Sequence, residues 1–336
     1  MGETGDVRKK RTRGIGLLSG GLDSILAVKV LQEQDLDLLG VTFVTPFFGP
    51  DPGLAAGQKA GIPVEVVDIT EPHLAMLKNP RYGFGRYMNP CIDCHGLMLR
   101  EAGLLMKTEG ADFLFTGEVV GQRPMSQRRD AMRSVEKLSG MDGLILRPLS
   151  ARLLPPTLVE LDGRVDRGRL LDIHGRSRKR QIQLAVQYQI DEYPNPGGGC
   201  LLTKEGFVRK LSDLLARSSH PGRRDLELLK RGRHFRLPSG SKCVVGRSES
   251  DNERLEELGG GDWLRLQVVG HPGPLALLPQ SASVSEEDRL MTARILAAYS
   301  DAPMDSWVTV TWQQAKKRDQ LSVAKESVDV FRGCLI

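Results

Sequence analysis

Two stretches of this chain combine residue types and spacings that can do chemistry. The first is Leu17-Leu18-Ser19-Gly20-Gly21-Leu22-Asp23-Ser24, preceded by an apolar run from Ile15 and followed by Ile25, Leu26, Val28, Val30 and Leu31 at amphipathic spacing. A buried strand, a tight glycine turn and a helix start form an arrangement that holds phosphate. The glycines let the backbone approach the ligand, and the free N–H groups of the first helical turn point at it. Ser19 and Ser24 can add hydroxyl donors, and Asp23 can hold a magnesium ion that neutralises the phosphates. Neither Gly-x-x-x-x-Gly-Lys-Ser/Thr nor Gly-x-Gly-x-x-Gly occurs, so neither usual nucleotide loop is offered. Taken alone, the stretch can also be a plain glycine-rich turn.

The second stretch is Asn89-Pro90-Cys91-Ile92-Asp93-Cys94-His95, in a loop that also contains Gly83 and Gly85. Cys91 and Cys94 have Cys-x-x-Cys spacing, and Cys94 falls near the start of a helix, where a thiol's pKa is expected to drop. A third thiol, Cys200, follows Gly197-Gly198-Gly199, three residues that let the backbone fold tightly around a bulky group. Three thiolates can bind three irons of a cubane cluster and leave the fourth open. Zinc with His95 as fourth ligand, a redox pair, and unligated thiols are the other readings of the same spacing. Cys243 and Cys334 match no motif and read as structural.

The elements that must position these residues follow from periodicity. Leu38 to Val44 and Pro63 to Val67 read as buried strands, with a short helix from Leu54 to Gly61 between them. Helical spacing returns at Leu97 to Met106, a strand is predicted over Asp112 to Thr116, a helix over Ser126 to Leu138 and a strand over Leu144 to Leu149. Strands alternating with helices imply right-handed crossovers and a parallel, doubly wound α/β sheet. Ligands of such sheets sit beyond the carboxyl ends of the strands. Both Ser19–Ser24 and Thr116-Gly117-Glu118-Val119-Val120-Gly121-Gln122 fall at such ends and can face one site. Beyond a linker at about Arg217 to Arg224 lies a smaller α+β module, with strands at Lys242–Val245, Trp263–Val269, Leu275–Leu278 and Trp307–Trp312. A helix from Glu286 to Tyr299 interrupts them.

With 336 residues, 40% hydrophobic and 26% charged, the chain has an ordinary globular composition and room for one large and one smaller domain. No run of about 18 apolar residues suggests a membrane span. The first thirteen residues are polar and basic and lack the apolar core of a secretory signal, so a cytoplasmic location is expected. A net charge of +5 permits a polyanionic partner without requiring one. Arg164 to Arg180 is arginine-rich, and Arg176, Arg178, Lys179 and Arg180 are candidate phosphate contacts, although a charge run can equally be a solvated face.

Ser-Gly-Gly-Leu-Asp-Ser resembles the pyrophosphate-binding loop of the adenine nucleotide α-hydrolases, the PP-loop family, which cleave ATP to AMP and pyrophosphate to adenylate a substrate. The resemblance continues in order through Asn-Pro-Cys-Ile-Asp-Cys-His, Thr-Gly-Glu-Val-Val-Gly-Gln and Gly-Gly-Gly-Cys-Leu-Leu-Thr, from Leu17 to Thr203. That series is similar to iron–sulfur-dependent tRNA thiouridine synthetases, and Asp172-Ile173-His174-Gly175-Arg176-Ser177-Arg178 also looks family-like. The resemblance implies ATP and Mg2+ at Ser19, Gly20, Gly21, Asp23, Ser24, Gly117, Glu118 and Gln122. It also implies a 4Fe-4S cluster on Cys91, Cys94 and Cys200, with its open iron carrying the sulfur to be transferred. The expected partners are tRNA and a sulfur donor, either sulfide or a persulfide carrier.

The 4-thiouridine synthetases usually carry a ferredoxin-like and THUMP region before the loop, and here a basic tail of residues 1–13 precedes the first strand. RNA binding is therefore expected elsewhere. Lys230-Arg231-Gly232-Arg233-His234-Phe235, the run from Val245 through Arg247 to Asn252, and Trp263-Leu264-Arg265-Leu266 resemble the NFACT-R RNA-binding domain. Arg233 and Arg247 become candidate RNA contacts, with Phe235 and Trp263 as candidate stacking or core residues. The expected organisation is a nucleotide and cysteine domain over 14–216 and an RNA-binding domain over 225–336. Two other functions fit the same residues: an RNA- or ribosome-binding protein whose loop senses nucleotide, and a desulfidase acting on a small thiolated base.

Overall fold

The computed structural model describes residues 11–193, 200–218, 220–260, 263–278 and 284–336. The chain divides into two compact units, Met1–Thr203 and Lys204–Ile336.

In the first unit the elements run β1 (Arg13–Leu17), α1 (Leu22–Gln32), β2 (Asp37–Val44), α2 (Asp51–Ala60), β3 (Val64–Asp68), α3 (Thr70–Lys78), α4 (Cys91–Thr108), β4 (Phe113–Thr116), α5 (Arg129–Ser139), β5 (Ile145–Leu146), α6 (Leu158–Leu161) and α7 (Lys179–Gln187). All strand pairs are parallel, in the order β3-β2-β1-β4-β5. The order reverses between β1 and β4, and the cleft outside their carboxyl ends is where such sheets bind ligands. The parallel, doubly wound sheet is therefore as expected from the alternation of strands and helices.

Side chains of β4 alternate between two cores. Phe113 and Phe115 pack with Leu22, Leu26 and Leu31 of α1, Ala56 of α2 and Ala185 of α7. Leu114 points the other way, with Ile15 and Val41, against Leu97 and Leu99 of α4 and Val135 of α5. Beside the two phenylalanines, in register, β1 carries Gly14 and Gly16. A Cβ at these glycines would lie 2.5 Å from Phe113 Cζ and 2.2 Å from Phe115 Cζ, so the rings occupy the space that β1 side chains would fill.

Three boundaries differ from the sequence reading. Helix α4 starts at Cys91 rather than Leu97, so both cysteines are in its first turn. Strand β5 is two residues long, because Arg147 turns into a buried ion pair and Pro148 has no N–H for the ladder. Ser126 and Gln127 are buried in the loop before α5, which begins at Arg129.

The second unit contains α8 (Glu205–Leu215), α9 (Arg223–Leu228), β6 (Arg233–Arg236), β7 (Lys242–Val245), α10 (Glu249–Leu258), β8 (Leu264–Val269), β9 (Leu275–Leu278), α11 (Glu286–Ala298), β10 (Trp307–Gln314) and β11 (Lys317–Ala324). Its antiparallel sheet has the order β11-β10-β8-β9-β7-β6. Leu264, Leu266 and Val268 of β8 alternate inward against Ala293, Leu296 and Ala297 of α11, while Val244, Leu275 and Leu277 pack on the other face with Leu255 of α10. Helix α8 belongs to this unit, whereas the division drawn from the sequence runs the first domain to residue 216. Lys210 Nζ donates to Gly232 O at 3.0 Å, and Asp213 pairs with Arg236. Among the described residues, no helix is long and apolar enough to cross a membrane.

Candidate nucleotide and thiol site

The Ser19–Ser24 loop leaves the carboxyl end of β1 and becomes α1 at Leu22. Gly20 has φ +84°, and a Cβ there would lie 2.4 Å from Pro52 Cβ, so both backbone conformation and space demand glycine. Ser19 is exposed. Ser24 differs from expectation: its hydroxyl donates to Gly21 O at 2.7 Å, bracing the turn instead of pointing a proton at a ligand. From the carboxyl end of β4, Gly117 comes against this helix start so closely that a Cβ would lie 2.4 Å from the Asp23 carbonyl carbon and oxygen. The two sequence-predicted nucleotide segments thus meet backbone to backbone.

Asp23 is the polar centre of that junction. Gln122 Nε2 donates to its Oδ2 at 2.8 Å, while Oδ1 is buried without a hydrogen-bond partner. Burial raises its pKa, more than the Gln122 hydrogen bond, the charges of Arg178 and Arg123 and a weaker contact with the Gln181 side chain lower it. A buried carboxylate oxygen lacking a donor suits a hard divalent cation, so the residues present fit a magnesium ion at Asp23. Glu118 is different. Its carboxylate accepts from Arg147 Nε at 3.0 Å and Thr116 Oγ1 at 3.2 Å, and shares a 2.9 Å hydrogen bond with His95 Nδ1. Burial alone would raise its pKa, but the Arg147 charge and the His95 contact bring it down to about 2. The side chain expected on a nucleotide is therefore an internal anchor that ties α4 to the end of β4.

Cys91 and Cys94 lie in the first turn of α4, at the same end of the sheet. Asp93 between them accepts from the backbone N–H groups of Arg81 and Tyr82, at 2.7 and 3.0 Å, which folds the preceding loop onto the helix start. Cys94 Sγ lies 3.5 Å from Nε2 of His73, a fully buried residue of α3 set against the rings of Phe47 and Phe48. Burial lowers the His73 pKa to about 4, so its imidazole is neutral at physiological pH. Cys200 reaches the same region, because Leu201 N–H donates to Phe47 O at 3.4 Å.

The thiols interact: Cys200 and Cys91 both raise the pKa of Cys94, and Cys91 raises that of Cys200. The expected lowering at a helix start is overturned for Cys94. Loss of water is the largest effect on both Cys94 and Cys200 and pushes them above the usual thiol range. Among the described residues, no group of three or more His, Cys, Asp or Glu side chains is arranged to hold a metal ion. The three cysteines supply the sulfurs that a cluster needs without forming its coordination sphere. Gly197, Gly198 and Gly199 lie outside the described residues.

The basic run divides by environment. His174 pairs with Val120 as an isolated parallel bridge, and Gly175 N–H donates to Val120 O at 2.8 Å, which lays this segment along Val119–Gln122. Arg178 turns inward with Nε buried and unpartnered, and its charge is felt by Asp23. Arg180 pairs with Asp172 at 2.6 Å, while Arg176 and Lys179 are exposed. In the second unit Arg233 lies 4.6 Å over the Tyr299 ring, and Arg247 pairs with Asp251 at 2.8 Å. Phe235 is fully buried and so is core, and Trp263 is half-buried under Arg224. The sequence reading missed His73, Arg147 and Gln181 because each is a lone residue in a helix or loop with no motif around it. A histidine among apolar residues of α3 was the one available signal.

Residues 232–330 match the family described as NFACT protein RNA binding domain. The chain is 37% identical over 120 residues to the tRNA-specific 2-thiouridylase MnmA of Clostridium acetobutylicum, covering 30% of this chain and 34% of that protein. It is 34% identical over 121 residues to the protein of the same name from Nitratidesulfovibrio vulgaris, covering 31% of this chain and 34% of that one. The chain thus spans about a third of the length of these curated relatives. Among solved structures, a predicted subunit of tRNA methyltransferase from Methanocaldococcus jannaschii aligns at 13% identity over 52% of this chain and 76% of that chain, with a TM-score of 0.33. Similarity to curated tRNA-specific enzymes over about a third of the chain therefore stands beside a separate match to an RNA-binding domain.

Proposed function

We propose that this chain is an ATP-dependent tRNA uridine sulfurtransferase. The observation that carries the reading is the convergence at one sheet end. Gly117 packs on Asp23, Glu118 holds His95, and one residue before His95 lies Cys94. Phosphate-binding backbone and thiols therefore belong to one connected site. Similarity to tRNA-specific 2-thiouridylases, and the match to an RNA-binding domain, support tRNA as substrate and the 2-position of uridine as the reacting carbon.

ATP lies between the Ser19–Ser24 loop and Gly117–Gln122. The amides at the start of α1 hold its phosphates, and the Asp23 oxygen holds magnesium. Bound magnesium supplies charge neutralisation of the phosphates. The uridine carbonyl oxygen attacks the α-phosphorus and pyrophosphate departs. A carbonyl oxygen leaves poorly, and AMP leaves well. A persulfide on one of the three thiols then attacks the activated carbon and expels AMP. A second thiol attacks the carrier cysteine's sulfur, freeing the thiocarbonyl and closing a disulfide that an external thiol reduces. Neutral His73 beside Cys94 keeps that thiol oriented. A 4Fe-4S cluster on Cys91, Cys94 and Cys200 is the alternative sulfur carrier, supported by the resemblance and by the mutual influence of the thiols. Iron and acid-labile sulfide in anaerobically purified protein, lost in Cys200→Ala, would favour it.

The test of the function is incubation of reduced protein with ATP, a sulfide or persulfide donor and unmodified tRNA, followed by nucleoside analysis. Thiouridine formed only with ATP is the expected result. ATP-independent release of sulfide from a thiouracil would overturn it in favour of a desulfidase. Tight tRNA binding with ATP retained unhydrolysed would point to a nucleotide-sensing RNA-binding protein.

A further inference from the structure

Three buried polar atoms without hydrogen-bond partners gather beside the Ser19–Ser24 loop: Asp23 Oδ1, Arg178 Nε and Gln181 Oε1. A chain of hydrogen bonds connects Gln181 to Asp23, and Arg178 acts on Asp23 through its charge. Gln181 Nε2 donates to Gln122 Oε1 at 3.1 Å, and Gln122 Nε2 donates to Asp23 Oδ2 at 2.8 Å. The chain fixes both amide orientations. An ionised carboxylate only accepts, so Gln122 must turn its NH2 to Asp23. Its oxygen then accepts from the Gln181 NH2, which leaves Gln181 Oε1 as a pure acceptor. Arg178 and Gln181 are three positions apart at the start of α7, on one helix face, and Gln181 is fully buried. The backbone pairing of His174 and Gly175 with Val120 holds this helix start against Gln122.

Buried polar groups in native proteins are almost always satisfied, and three exceptions in one place call for a ligand that satisfies them together. The two acceptors need a cation or a donor, and the guanidinium needs an anionic oxygen. A magnesium-bound polyphosphate brings both. A phosphodiester of RNA brings only the anion. We infer that Arg178 and Gln181 form a third wall of the nucleotide site and hold the magnesium–pyrophosphate end of ATP, rather than contacting RNA. Arg123, exposed at the rim and close enough for its charge to act on Asp23, adds positive charge to the same end. The inference rests on the reading of the Ser19–Ser24 loop as an ATP site.

The experiment is calorimetry on the full chain with Mg2+–ATP, Mg2+–pyrophosphate, AMP and unmodified tRNA, comparing the unchanged protein with Arg178→Ala, Arg178→Lys and Gln181→Leu. A lost charge-assisted hydrogen bond corresponds to about a 10- to 100-fold weakening, expected here for ATP and pyrophosphate in Arg178→Ala. AMP and tRNA affinities should change less than about twofold, which also shows that the variant is folded. Arg178→Lys should fall between, because it keeps the charge and loses the planar fork. Weakened tRNA binding with intact ATP binding in Arg178→Ala would overturn the inference alone, as would equal losses of ATP and AMP. Failure of the unchanged chain to bind either ATP or pyrophosphate would overturn the reading of the loop and this wall with it.

Discussion

At the residue scale, the two carboxylates Asp23 and Glu118 have opposite environments. Asp23 is raised by burial, so the folded state holds its proton more tightly than the unfolded chain does. Ionising it costs stability as pH climbs above the ordinary value of 3.8, and at pH 7 that cost is present in the ligand-free protein. Asp23→Asn should therefore raise the melting temperature without nucleotide and abolish the stabilisation that Mg2+–ATP gives, both measured by thermal denaturation. Burial is the largest single influence on Glu118 and raises it, but the charges and hydrogen bonds of Arg147 and His95 together outweigh burial and lower it from 4.5 to about 2. Its stabilisation is complete above 4.5 and is lost as pH falls toward 2, a contribution on the order of 3 kcal/mol. Urea denaturation at pH 7 and pH 3 should show this loss, and Glu118→Gln should flatten it. Arg147→Ala leaves Glu118 buried without its guanidinium and should cost about 3–5 kcal/mol at pH 7.

At the element scale, the β1–β4 pair decides where the loop sits. Gly16 is glycine because the Phe115 ring occupies its side-chain space, with Cζ 2.2 Å from a Cβ. Gly16→Ala is expected to destabilise by about 1–3 kcal/mol through overpacking. Combining it with Phe115→Leu should recover part of that loss, read as a positive coupling in a double-mutant cycle of urea unfolding. Helix α4 performs a second positioning task. It presents Cys91 and Cys94 from its first turn, Asp93 pins the loop before it, and His95 is locked to Glu118. Sequence periodicity began this helix at Leu97 because Cys, Asp and His interrupt the apolar pattern. The polar residues that do the work hid the turn that carries them.

At the scale of the whole molecule, each unit has its own apolar core. Under the proposed function, a chain ending at Thr203 is expected to keep Mg2+–ATP affinity and to lose tRNA affinity by about tenfold or more, because the region that matches an RNA-binding domain, 232–330, is removed. Filter binding and calorimetry on the two lengths check this, and undiminished tRNA binding by the shorter chain would contradict it. In the full chain, tRNA affinity should fall linearly with the logarithm of salt concentration, as counterion release requires.

The sequence by itself determined the alternating strands and helices, the parallel sheet, the glycine-rich turn at Ser19–Ser24 and the second glycine segment facing it. All of these are local: periodicity and glycine act within about ten residues of chain. The ordered motifs also singled out the three cysteines. Tertiary structure alone decided what each polar side chain faces. It placed Glu118 on Arg147, turned the Ser24 hydroxyl into its own loop, moved Arg178 from the basic run to Asp23, and set His73 against Cys94. It also reversed the expected direction of the Cys94 pKa, because burial depends on neighbours distant in the chain, such as His73, 21 residues away, that no local pattern encodes.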